Sequence, residues 1–303
     1  MASPPVALAS SGTPTPSAVL EILKPITWFP PMWALGCGVV SAGPSNASAW
    51  SAALAGILLA GPLLCGASQA VNDWFDREVD AINEPQRAIP AGRVPGQWGL
   101  YIALGWSVLS LAFAWTLGPW VWRAALLGLA LAWAYSAPPL RLKENAWFGS
   151  TACAFCYEGL PWLTGAALMN GGDAPQAASV QCAVLYSIGA IGIMTLNDFK
   201  SIEGDRQMGL RSLPVQLGVP RAARLACAVM AAPQALVVVL LLAWQRDIAA
   251  SIVTLLLVAQ CVLMRRWLGR PRELAPWYNA TGVTLFVSGM MTTAFALRAT
   301  LPA

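Results

Sequence analysis

Nine consecutive residues, Asn72 to Asp80 (NDWFDREVD), hold four of the chain's 14 acidic side chains. On a helix Asp73, Asp76 and Asp80 fall at i, i+3 and i+7, within one narrow face. Like charges gathered at the end of an apolar run are costly unless a cation neutralises them. Oxygen-only donors of this kind suit Mg2+, which is held by a few carboxylates, waters and substrate phosphates. The pattern recurs at Asn197 to Asp205 (NDFKSIEGD), again closing an apolar run. A shift of 125 positions carries Asn72, Asp73, Glu78 and Asp80 onto Asn197, Asp198, Glu203 and Asp205, while Asp76 lands on Ser201. This reads as an internal duplication that brings two acidic clusters to one side of a membrane.

Two acidic clusters with basic residues beside them describe a clamp for a diphosphate. Carboxylates bind the metal, the metal bridges to phosphate oxygens, and basic side chains such as Arg77 and Arg206 neutralise the rest. A site at a membrane suggests a lipidic diphosphate such as an isoprenoid. Ionisation of an allylic C–O bond would leave a cation that a nucleophile can trap.

The elements that position these residues follow from composition. Of 303 residues, 57% are hydrophobic and only 11% charged, against about a quarter charged in a soluble protein. Spans read at roughly 25–42, 50–71, 98–118, 120–138, 148–169, 178–197, 222–243, 248–265 and 277–298, near the length that crosses a bilayer. The expected fold is therefore all-α: a polytopic membrane protein of nine transmembrane helices, in two four-helix repeats plus a ninth helix. With the N-terminus inside, only Arg123, Arg246 and Arg298 of the 18 basic residues fall outside, as the positive-inside rule requires. Both clusters then face the cytoplasm, each followed by a loop of about 25 residues, a length typical of functional elements. Residues 1–20, rich in Ala, Ser, Pro and Thr, read as a disordered tail and 21–303 as one transmembrane domain.

The chain has no histidine. That excludes a Ser-His-Asp triad, His-based acid–base catalysis and His-ligated haem. Its 7 cysteines read as packing residues, and the Cys153/Cys156 pair has no partner set for zinc. The net charge of +4 follows topology and gives no sign of nucleic-acid binding.

The two acidic stretches, together with Tyr135 to Lys143 (YSAPPLRLK) between them, resemble the UbiA superfamily of intramembrane prenyltransferases over about residues 20 to 298. The longer runs NDWFDREVDAINEPQRAIPAGR, YSAPPLRLKENAWFG, CYEGLPWLTGA and NDFKSIEGDRQMGLRSLPVQLG are similar to chlorophyll synthases, the bacteriochlorophyll synthases of phototrophic bacteria above all. The resemblance implies Mg2+-dependent esterification of the 17-propionate of bacteriochlorophyllide a with geranylgeranyl or phytyl diphosphate. It also implies the bilayer of a bacterial inner or photosynthetic membrane, and other pigment-biosynthesis proteins as neighbours. A propionate is ionised at neutral pH, so it needs no general base. Carried over by position, Asn72, Asp73, Asp76 and Asp80 hold one Mg2+, and Asp198, Asp205 and Glu203 the other. On an unbroken helix Glu203 points about 140° away from Asp198, so either Gly204 bends the chain or Glu203 orients a basic residue. Lys143 and Arg141 contact the diphosphate by resemblance, with Tyr135 and Ser136 as further candidates. Glu158, an ionisable group inside a span, is expected to shape the acceptor pocket. The alternatives are an aromatic acceptor in the same superfamily, a cation transporter and a pigment-binding antenna protein.

Overall fold

The computed structural model describes residues 12–43, 47–207 and 209–298, and all regular structure among them is helical. Runs of Leu, Ala and Val with few charges satisfy the backbone within each segment, as a medium without water demands. The long helices are α2 (Phe29–Ala42), α3 (Ala47–Leu58) running into α4 (Gly66–Asn83), α5 (Trp98–Trp115) and α6 (Pro119–Ser136). The second half has α7 (Ala146–Ala154) running into α8 (Leu160–Met169), α9 (Ala177–Asp198), and then, beyond two short helices, α12 (Val219–Ala243), α13 (Asp247–Gly269) and α14 (Pro271–Arg298). The short ones are α10 (Ile202–Gln207) and α11 (Leu213–Leu217). Each span read from the sequence falls on a helix. Six helical stretches among the described residues are long and apolar enough to cross a membrane, the longest being Ser48–Asn83 with 36 residues, whereas Phe29–Ala42 is a shorter apolar helix. Shifted by the same 125 positions, α5 and α6 fall on α12 and α13.

Three local features depart from the sequence reading. First, the expected tail ends early. Thr15 caps a helix α1 (Pro16–Leu23) through a 3.3 Å bond from the Ala18 N–H, and Ala18, Ile22 and Leu23 bury against Ala70, Val71 and Ala103. Residues 1–11 of that tail lie outside the described residues. Second, α4 continues to Asn83, so the loop after the first acidic stretch is only residues 84–97, while the loop after the second folds into α10 and α11. Third, two of the long helices widen into π turns, at Leu59–Cys65 and at Phe155–Gly159. Proline accounts for both. Pro62 has no N–H to give, and its own carbonyl accepts the Trp106 indole at 3.1 Å. Pro161, at the start of α8, cannot donate to the carbonyl four residues back.

Close approach of helices rests on small residues, as is common where lipid removes the hydrophobic drive between helices. A Cβ on Gly38 of α2 would stand 2.0 Å from the Trp162 carbonyl of α8, and one on Gly165 would stand 2.2 Å from the Leu35 carbonyl. The largest core cluster lies in the second half. There Trp162 stacks on Tyr186 at 5.8 Å, and Tyr186 meets the edge of Phe286 at 5.4 Å. The Trp33 indole donates to the Val287 carbonyl at 3.1 Å, so α14 closes back on α2.

Candidate active site

The first acidic stretch lies on the last turns of α4, and each aspartate of its face meets a cation from a different element. Lys24, at the end of α1 with φ +46°, reaches Asp73 at 2.5 Å. Lys143, from the loop after α6, pairs with Asp76. Arg87, from the loop after α4, lies 2.8 Å from Asp80 and 3.6 Å from Asp73 and also pairs with Glu84. Asn72 donates to Asp76 at 2.9 Å and to the Ser136 hydroxyl at 3.4 Å. Asp73 and Asp80 are buried. Burial works against the charge of Arg87, but Asp80, Asp73 and Glu84 around it hold its pKa above the ordinary value.

The second stretch is built differently. Helix α9 stops at Asp198, residues 199–201 turn, and α10 carries Asp205 back so that it accepts the Ser201 hydroxyl at 3.2 Å. Among the described residues neither Asp198 nor Asp205 has an ion-pair partner. Tyr135, at the end of α6, is within electrostatic reach of Asp76, Asp198 and Asp205, so aspartates of both stretches lie in the neighbourhood of one side chain.

Not every candidate joins that neighbourhood. Glu203 is exposed and pairs with Arg272 of α14 at 3.0 Å. Arg77 lies over the Trp74 ring at 4.3 Å, donates to the Trp74 carbonyl and pairs with the exposed Glu78. Arg141 stands 3.2 Å from Glu144, apart from Lys143 two residues on. Arg206 is exposed and without an ion pair among the described residues. Glu158 is buried in the second π turn, and its Oε2 has no hydrogen-bond partner. Sequence reasoning missed Lys24 and Arg87 as partners of the acids. Lys24 is 49 residues from Asp73 in sequence and follows a stretch read as tail; Arg87 lies in the loop after α4 and carries no motif that marks it.

An apolar cleft lies between the two π turns. It has about 60 Å³ of free space and is lined by Leu59, Ala60, Leu64 and Cys65 of the first π turn, Cys156 and Tyr157 of the second, and Gly128 and Ala132 of α6. The Tyr157 hydroxyl accepts from the Gln69 amide at 3.1 Å, one turn above Asn72. π turns are frequent at functional sites, and here both open onto one cleft.

The donor set fits a hard divalent cation in type, since it offers oxygen alone. Among the described residues no three carboxylates or thiols converge on one point. Like charges repel, and the aspartates of the first stretch turn instead to Lys24, Lys143 and Arg87, the last shared by Asp73 and Asp80.

The family model for UbiA prenyltransferases matches residues 28–290. A bacteriochlorophyll synthase 33 kDa chain from Cereibacter sphaeroides is 57% identical over 293 residues, 97% of each chain. The chain belongs to the UbiA prenyltransferase family. It is a prenyltransferase and a multi-pass membrane protein, which sets aside the transporter and antenna readings. A chloroplastic chlorophyll synthase from Avena sativa is 37% identical, covering 91% of this chain and 75% of its own. A UbiA homologue from Archaeoglobus fulgidus, solved with GPP and Mg2+, superposes with a TM-score of 0.72 at 19% identity, over 93% of this chain and 99% of that one, and so shares the UbiA fold.

Proposed function

We propose that this UbiA-family prenyltransferase esterifies the 17-propionate of bacteriochlorophyllide a with geranylgeranyl or phytyl diphosphate and depends on Mg2+. The observation that carries the reading is 57% identity, over 97% of both chains, to a bacteriochlorophyll synthase. The two acidic stretches, both within electrostatic reach of Tyr135, support the diphosphate half of it. Nine crossings, with the N-terminus and both stretches on the cytoplasmic side of an inner or photosynthetic membrane, agree with the distribution of basic residues.

Asn72, Asp73, Asp76 and Asp80 on one side, and Asp198 and Asp205 on the other, would hold the metal. Bound there, Mg2+ supplies positive charge to the leaving diphosphate oxygens. Lys143, Lys24 and Arg87, released from their carboxylates, neutralise the remaining phosphate charge. The apolar cleft between the π turns takes the isoprenoid and keeps water from the allylic carbon. The bond from that carbon to the diphosphate oxygen breaks, and its electron pair leaves with the diphosphate. A propionate oxygen then forms the new C–O bond; no proton need be removed from an ionised carboxylate, in keeping with a chain that has no histidine.

The test is an assay of the purified protein with geranylgeranyl diphosphate, Mg2+ and either bacteriochlorophyllide a or 4-hydroxybenzoate. Esterified pigment that disappears with EDTA is the expected result. Prenylated benzoate would keep the clamp and overturn the acceptor; turnover unaffected by EDTA would overturn the metal requirement.

A further inference from the structure

Arg141 and Lys143 sit two residues apart and serve different places. Lys143 turns inward to Asp76. Arg141, held at φ +36°, turns to a second pocket of about 260 Å³, which it lines with Arg211, Glu144, Asn145, Leu140 and Phe148. Backbone bonds build this pocket from two distant loops. The Arg211 N–H donates to the Glu144 carbonyl at 3.1 Å, and the Ala146 N–H donates to the Arg211 carbonyl at 3.1 Å.

The pocket is short of negative charge. It holds two guanidinium groups and one carboxylate. The Arg141 Nε is buried, stands 3.2 Å from Glu144 and has no hydrogen-bond partner among the described residues. Arg211 has no ion pair among the described residues. An unsatisfied buried donor on a cation is costly, and guanidinium geometry favours phosphate oxygens. The rim is apolar and bare. Leu140 is 64% exposed, Phe148 63% and Trp147 46%. These side chains lie between the end of α6 and the start of α7, and in a membrane-spanning chain helix ends are where headgroups and acyl chains would meet.

We propose that this pocket binds the phosphate of an anionic phospholipid. Arg141 and Arg211 take the phosphate oxygens, and the lipid's acyl chains run down past Phe148 and Leu140. A free phosphate would satisfy the arginines and leave the apolar rim in water; a lipid satisfies both. The bound lipid would tie the Tyr135–Lys143 loop to the Arg211 segment at the membrane edge.

Native mass spectrometry of the full chain, released from zwitterionic detergent with added phosphatidylglycerol or phosphatidylcholine, tests this. Phosphatidylglycerol should be retained in preference, and Arg211→Gln and Arg141→Gln should each cut that retention about tenfold. Phe148→Ser, which leaves both arginines, should weaken it less. Arg211→Lys keeps a charge and controls for folding: it should retain more lipid than Arg211→Gln. Inorganic phosphate alone, added in detergent, should neither bind nor compete. Equal retention of both lipids, unchanged retention in Arg211→Gln, or competition by inorganic phosphate would each overturn the lipid site.

Discussion

Asp73 and Asp198 occupy equivalent positions in the two acidic stretches, and their surroundings differ. Asp73 is met by Lys24 and Arg87, Asp76 by Lys143 and Asp80 by Arg87. Among the described residues Asp198 and Asp205 have no ion-pair partner, and Asp205 accepts the Ser201 hydroxyl. Most of the carboxylates recur 125 positions on, but their counter-ions do not. The cause is local. Helix α4 runs unbroken to Asn83, so its three aspartates share a face that α1 and two loops can reach. Helix α9 ends at Asp198, and the turn that follows folds Asp205 back under it. Where the first stretch has Asp76 to receive Lys143, the second has Ser201, which can donate to Asp205 but carries no charge to pair with a lysine. One stretch is thus charge-balanced by the protein itself. In the other, Asp198 and Asp205 have no ion pair among the described residues.

The sharpest way to break this comparison is to remove one acid from each stretch. Asp198→Ala should lower kcat by on the order of 10²-fold or more and leave thermal unfolding of the substrate-free protein unchanged, because no ion pair is lost. Asp73→Ala should lose similar activity and also shift unfolding, because it strands Lys24. Turnover and melting curves of the two variants, measured side by side, check both; near-normal turnover in either sinks the clamp. Lys143→Ala comes next. A charge-assisted hydrogen bond contributes about 1.5–3 kcal/mol, so the KM for the prenyl diphosphate should rise about 10- to 100-fold while that for the acceptor changes little. Steady-state kinetics with each substrate varied would expose the reverse pattern, which would move Lys143 to the acceptor side.

Lys24→Met sharpens the contrast further. Breaking a buried pair costs about 3–5 kcal/mol, and the partial exposure of Lys24 cuts this to about 1–2 kcal/mol. The loss should shrink when Mg2+ and a non-hydrolysable prenyl diphosphate are present, since Asp73 then has another partner. A melting difference that ignores these ligands would mean that Lys24 and metal do not share Asp73. The smallest effect belongs to the Glu21–Arg93 pair, which fastens α1 to the loop after α4. The hydrogen bond from Arg93 lowers the Glu21 pKa below its ordinary 4.5. Its contribution is present above pH 4.5 and is lost as pH falls through the lowered value. Both partners are largely exposed, so the effect is small and screened by salt. Glu21→Gln should flatten the difference in melting temperature between pH 6 and pH 4 at low salt.

Much of this was legible in the sequence because it depends on spacing. Apolar runs marked the long helices, and the i, i+3, i+7 aspartates fixed the face that meets Lys143. The counter-ions were not legible. Lys24 lies beyond a Pro- and Ser-rich stretch whose composition suggests disorder, and only the burial of Ala18 and Ile22 against α4 brings it to Asp73. Glu203 was ambiguous for a different reason. Its direction depends on where α9 breaks, and a break after Asp198 gives it to Arg272. Arg141 and Lys143 could not be told apart by type or position. A backbone bridge from Arg211 to the segment following Arg141 separates the surroundings of the two.

The π turn at Leu59–Cys65 has a consequence of phase. A π turn carries one residue more than the α-helix it interrupts, and one residue is about 100° of rotation. Everything in α4 is therefore turned by that angle relative to α3. Without the extra residue, Asp73, Asp76 and Asp80 would still be spaced for one face, but that face would be aimed elsewhere on the bundle, away from Lys24, Arg87 and Lys143. The bearing of the acidic face is stored upstream of it, in an apolar stretch that carries no charge at all.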